Sequence, residues 1–80
     1  MYIINTFVNN QMKGESVYFL QEDFKRDYLD IVEGLKTGEN QIDLVTIRKF
    51  DNYSNLISGF ALIKTFQGVE VKAVPRRNYY

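Results

Sequence analysis

The chain has 80 residues, ten acidic and ten basic side chains, six Tyr, six Phe and no Trp, which describes one small domain whose core leans on aromatic groups. It has no Cys and no His, so disulfides, thiolate zinc sites and imidazole acid–base chemistry are all excluded. MYIINTFV lacks the basic and apolar regions of a signal peptide, and no apolar run nears the roughly 18 residues of a bilayer span. The expectation is a complete, soluble, cytoplasmic product with no cofactor and no membrane partner.

The first strand is predicted over Tyr2 to Val8, rich in Ile, Val, Thr and Phe. Asn9 to Glu15 reads as a polar loop and Ser16 to Leu20 as a second short strand, the two strands forming a hairpin. A helix is predicted from Leu20 to Gly38. Its apolar residues Leu20, Phe24, Tyr28, Ile31 and Leu35 fall on one stripe, with Glu22, Asp23 and Asp27 near its start, Lys36 near its end and Gly38 placed to cap it. A third strand runs from Gln41 to Phe50, and a polar connection covers 51–55. A fourth strand spans Leu56 to Phe66, with a bulge or bend at Ser58-Gly59. Gln67-Gly68 marks a tight turn into a fifth strand, Val69 to Val74, which Pro75 ends because proline brings no N–H. The tail from Arg76 to Tyr80 reads as mobile unless captured. The fold class is therefore α+β: a curled antiparallel sheet of about five strands, ordered ββαβββ, with one helix across one face.

Charge is divided along the chain. Lys13, Lys25, Arg26 and Lys36 face Glu15, Glu22, Asp23, Asp27, Asp30, Glu33 and Glu39 in the first half. From Ile42 onward Arg48, Lys49, Lys64, Lys72, Arg76 and Arg77 outnumber Asp43, Asp51 and Glu70. Asp23, Asp27 and Asp30 share a flank of the helix, a spacing that can hold a divalent cation or an acid–base pair but, with no supporting ligand cluster elsewhere, reads foremost as the solvated rim of a buried stripe. Ser16, Ser54 and Ser58 have no histidine to activate them and no nucleophile-elbow glycines around them, and the five scattered glycines form no phosphate loop. These absences point to a protein that is not an enzyme and holds no metal.

Two binding readings remain. Arg48, Lys49, Lys64, Lys72, Arg76 and Arg77, interleaved with Phe and with Tyr79 and Tyr80, have the cation and ring composition that single-stranded nucleic acid requires, although the near-neutral sum and the missing RRM motif count against it. The stronger reading rests on strands that are apolar at both parities. Val45 and Ile47 alternate with Ile42 and Leu44; Ile57, Ala61 and Ile63 with Leu56, Phe60 and Leu62; Val17 and Phe19 with Tyr18 and Leu20. One helix hides one face only, so the second must be sheltered by curling, by self-association or by another protein. The leading expectation is a protein-binding module, acting as a homodimer or as a small regulator or inhibitor of a larger host or viral (phage or mobile-element) machine. Its expected contact residues are Tyr18, Phe50, Phe60, Leu62 and Phe66, with Arg76, Arg77, Tyr79 and Tyr80 as a clasp.

Overall fold

A computed structural model of the chain describes residues 1–73. Strand β1 (Tyr2–Val8) turns through Asn9 and Asn10 into β2 (Gln11–Tyr18). Both asparagines have positive φ, 52° and 67°. That is the handedness a two-residue hairpin turn needs, and asparagine tolerates it better than most residues. The expected seven-residue loop is thus a two-residue turn, and most of its residues join β2. Gly14 lies opposite Thr6, and the register slips by one residue between Thr6 and Phe7.

Helix α1 (Gln21–Thr37) follows, with Leu20 as an extended N-cap that lends no side-chain bond. Gly38 closes the helix in the left-handed region at φ 79°, its N–H donating to the Gly34 carbonyl at 3.0 Å. Asn40 folds back on the same end: its Nδ2 donates to Ile31 O at 3.3 Å and its Oδ1 accepts the Ile42 N–H at 3.1 Å. A Cβ at Gly34 would stand 2.5 Å from that amide, so glycine is what lets Asn40 reach the helix. Strands β3 (Leu44–Phe50), β4 (Leu56–Thr65) and β5 (Gly68–Ala73) follow as successive hairpins. The irregularity expected near Ser58-Gly59 sits one residue earlier: Lys49 pairs with Ser58 and Phe50 with Leu56, leaving Ile57 as the extra residue.

The element order ββαβββ is the expected one, and every pairing is antiparallel, in the order β2-β1-β3-β4-β5. Strands β2 and β3 both run against β1, so they run parallel to each other and need a crossover. Helix α1 is that crossover, and it must lie across a face. The other connections are short turns at the ends of the strands, so they cover neither face. Among the described residues the sheet does not close, and β2 and β5 are its edges.

Under the helix, Ile4, Tyr18, Val45, Ile47 and Leu62 from four strands meet Leu35, the one helix residue with no exposed surface. Phe24, Tyr28, Ile31 and Val32 pack around them, while Leu20, which the sequence stripe included, stands exposed. Phe24 stacks on Tyr2 at 4.2 Å between ring centroids and meets Tyr18 edge-on, and Tyr28 meets Phe60 edge-on at 6.2 Å. Rings thus supply the area that a short chain lacks in aliphatic core.

Candidate interaction face

Since side chains alternate along a strand, fixing Ile4, Ile47 and Leu62 beneath the helix sends Ile3, Asn5 and Phe7 to the other side. The register then assembles rows across the sheet. Phe7 lies between Met12 and Leu44, and Leu44 faces Ile63, giving an apolar row over four strands that ends at Glu70. Asn5 lies between Glu15 and Thr46, and the row continues through Ala61 to Lys72. Ile3 lies between Val17 and Arg48. Among the described residues no element lies over these rows. Apart from Asn5 their members are half-buried or exposed.

Asn5 organises the middle of the face. It is only 2% exposed, yet no buried side-chain polar atom among the described residues lacks a partner. Its Nδ2 donates to Glu15 Oε2 at 2.8 Å and touches Met12 Sδ at 3.6 Å, and its Oδ1 accepts from Arg48 Nη2 at 2.8 Å. Arg48 in turn lies 5.7 Å from the centre of the Phe50 ring. A carboxylate, an amide and a guanidinium therefore cross three strands in a line, and charge-assisted bonds hold that line in place. It separates the Met12–Phe7–Leu44–Ile63 row from Ile3 and Val17. Asn9, Asn10, Asp43 and Lys64 border a shallow depression at the Leu44–Ile63 end. Asp43 there accepts the Asn9 N–H at 2.9 Å.

The residues expected to make contact divide between the two sides. Tyr18, 9% exposed, and Leu62, 3% exposed, lie beneath the helix and are out of a partner's reach. Phe60 is on that side too, against Tyr28. Burial pushes the Tyr18 phenol above its ordinary pKa, and its hydrogen bond to Asp27 at 2.9 Å pushes the same way, so this hydroxyl is a structural donor. Phe50 is on the open face, partly covered by Arg48, and Phe66 projects fully into solvent from the β4–β5 turn. The two-sided apolar pattern is present, but the outward set is Ala61 and Ile63 rather than Phe60 and Leu62.

The cations are likewise dispersed. Arg48 and Lys72 share the open face. Lys49 lies 5.7 Å from the Tyr2 ring on the helix side, and Lys64 reaches toward Gly38 at the end of the helix. Arg76, Arg77, Tyr79 and Tyr80, proposed both as a clasp and as nucleic-acid contacts, lie outside the described residues. Of the acidic flank, Asp27 is engaged by Tyr18, and Arg26 sits 3.5 Å from both Asp23 and Asp27. Among the described residues no three potential ligands gather around one point, and no helix is long and apolar enough to cross a membrane.

Sequence reasoning missed Ile3, Asn5, Phe7, Met12 and Glu15 as members of the face turned away from the helix. The signal for them was Asn9-Asn10: read as a two-residue turn, it pairs Gln11 with Val8 and, after the one-residue slip, brings Glu15 beside Asn5. Comparison with protein-family models, curated proteins and solved structures finds no match for this chain.

Proposed function

We propose that this chain is a non-enzymatic protein-binding module that works through the uncovered face of its sheet, as a small regulator or inhibitor of a larger protein assembly. The observation that supports this reading is the apolar row Met12–Phe7–Leu44–Ile63, left open beside a fixed polar line from Glu15 to Arg48. Apolar area drives association without direction, and the charged line gives a partner orientation and register. The division of Arg48 and Lys72 from Lys49 and Lys64 favours this over a phosphate-tracking groove.

The test is capture of partners on immobilised protein at low and high salt, comparing wild type with Ile63→Asp on the open face and Leu29→Asp on the outer helix surface. Proteins retained at high salt, kept by the Leu29 variant and lost by the Ile63 variant, are the expected result. Equal retention by both variants sinks the proposal. So does binding of a fluorescent oligonucleotide that disappears steeply with salt, which would mark a nucleic-acid protein instead.

A further inference from the structure

Strand β5 is an edge whose outer side is unpaired among the described residues, and the phase of its hydrogen bonding follows from its neighbour. The Lys64 N–H donates to Asp43 O at 3.0 Å, away from β5. Lys64 pairs with Val69, so that pair exchanges no bonds, and the N–H and C=O of Val69 point outward. By alternation those of Val71 and Ala73 do the same. Val71 is 65% exposed, and its neighbours Glu70 and Lys72 both lie on the open face with their charges 4.0 Å apart.

We infer that β5 pairs antiparallel with β5 of a second copy of this chain, in a two-fold register centred on Val71. That register sets the backbone of Val71 against Val71 of the second copy and that of Val69 against Ala73, so every outward-pointing group finds a partner, about six hydrogen bonds in all. It also sets Glu70 opposite Lys72 of the second copy, and Lys72 opposite Glu70, at non-bonded positions where cross-strand side chains come closest. A two-fold interface must be complementary to itself, and Glu-Val-Lys is. Two positions past Ala73 stands Pro75, which has no N–H to extend the ladder.

The other edge is less regular, and its register centred on Glu15 is unfavourable. Strand β2 has a register slip opposite Thr6/Phe7, and pairing it with its own copy about Glu15 sets like charges face to face. Glu15 is, besides, already bonded to Asn5. Pairing through β5 joins the two open faces into one platform twice as wide. The inference concerns an edge rather than a face, so it stands or falls separately from the binding proposed above.

The experiment is light-scattering mass against concentration for the full chain. Wild type should rise from 9.4 kDa toward twice that mass as concentration increases, since a short ladder dissociates on dilution. Val71→Pro removes an outward N–H without touching the β4–β5 bonds, so it should stay monomeric with unchanged circular dichroism. Glu70→Lys should weaken the dimer about ten-fold, from two reversed charge pairs, and Glu70→Lys with Lys72→Glu should restore it. A wild-type chain that stays monomeric into the millimolar range overturns the inference. So does a dimer that Val71→Pro leaves intact or the double swap fails to rescue, or growth past two copies, which would mean head-to-tail joining of unlike edges.

Discussion

Leu62 and Ile63 are adjacent, nearly equal in size and on opposite sides of β4, so truncating each in turn measures which face the helix covers. Leu62 is 3% exposed and touches the core around Leu35, Val45 and Ile47. Leu62→Ala loses the transfer free energy of the removed methyl groups and leaves a gap between helix and sheet, together about 2–5 kcal/mol. Ile63 is only half-buried, and water can enter the space it vacates, so Ile63→Ala should cost about 1 kcal/mol. A chain of this length has roughly 4–12 kcal/mol of total stability. The first change thus removes a large share of it, a fall of order 10–30 °C in melting temperature, and the second only a few degrees. Urea unfolding followed by circular dichroism gives both values, with equal slopes required for the comparison to hold. Costs within about 0.5 kcal/mol of each other would refute the assignment of faces, and with it the outward placement of Phe7, Leu44 and Ile63.

Three further outcomes follow from the geometry. Asn5→Ala removes two bonds to charged groups, but Glu15 and Arg48 both reach water, so the expected loss is about 1–2 kcal/mol, read from the urea midpoint; no loss would mean the line is incidental. Gly38→Ala should cost about 1 kcal/mol from its positive φ alone, because the nearest obstacle, Lys64 Nζ, ends a flexible chain and can move; a stabilised variant would contradict the left-handed cap. Asp51 accepts the N–H groups of Asn55 at 2.9 Å and Tyr53 at 2.8 Å, and these bonds, that of Asn55 foremost, hold its carboxyl below the usual value. The folded state therefore favours the charged form. Its contribution is complete above the unfolded value of about 3.9 and is lost as pH falls through the lower folded one. The stability gap between wild type and Asp51→Asn should shrink as pH falls below the unfolded value of about 3.9, and a gap that widens there would contradict the bonding at this turn.

Much of the architecture was legible because it rests on local chemistry. The helix showed its stripe, its acidic start and its glycine stop, and Gly38 does cap it. Leu20 leaves the stripe for a physical reason: the residue that caps a helix keeps extended dihedrals and turns its side chain away, as its φ of −105° and ψ of 133° show. The β1–β2 loop reads too long from sequence because a run of polar residues resembles a loop, whereas an exposed edge strand can be just as polar. The site fared worse. Alternation shows that β4 has two apolar sets but holds nothing to say which one meets the helix. Only the crossover from β2 to β3 decides that, and its geometry lies in the pairing of strands distant in sequence. Tyr18, Phe60 and Leu62 are thus expected at the surface, whereas Tyr18 and Leu62 belong to the core and Phe60 packs half-buried against it.

The polar line through Asn5 gives a reason why an open apolar face need not cause collapse onto any greasy surface. Were Asn5 a valine, Ile3, Phe7, Leu44 and Ile63 would merge into one patch of the kind that aggregates. As it stands, any surface laid over the face must leave Glu15, Asn5 and Arg48 bonded or match them, since stripping water from an unmatched carboxylate and guanidinium costs more than the neighbouring apolar contacts return. Specificity then arises from a penalty on wrong partners as much as from attraction to the right one. Under the proposed function, Asn5→Val should leave the fold intact, broaden what the face binds and lower solubility. A variant that aggregates no more readily than wild type and binds the same set would show that the line does not discriminate.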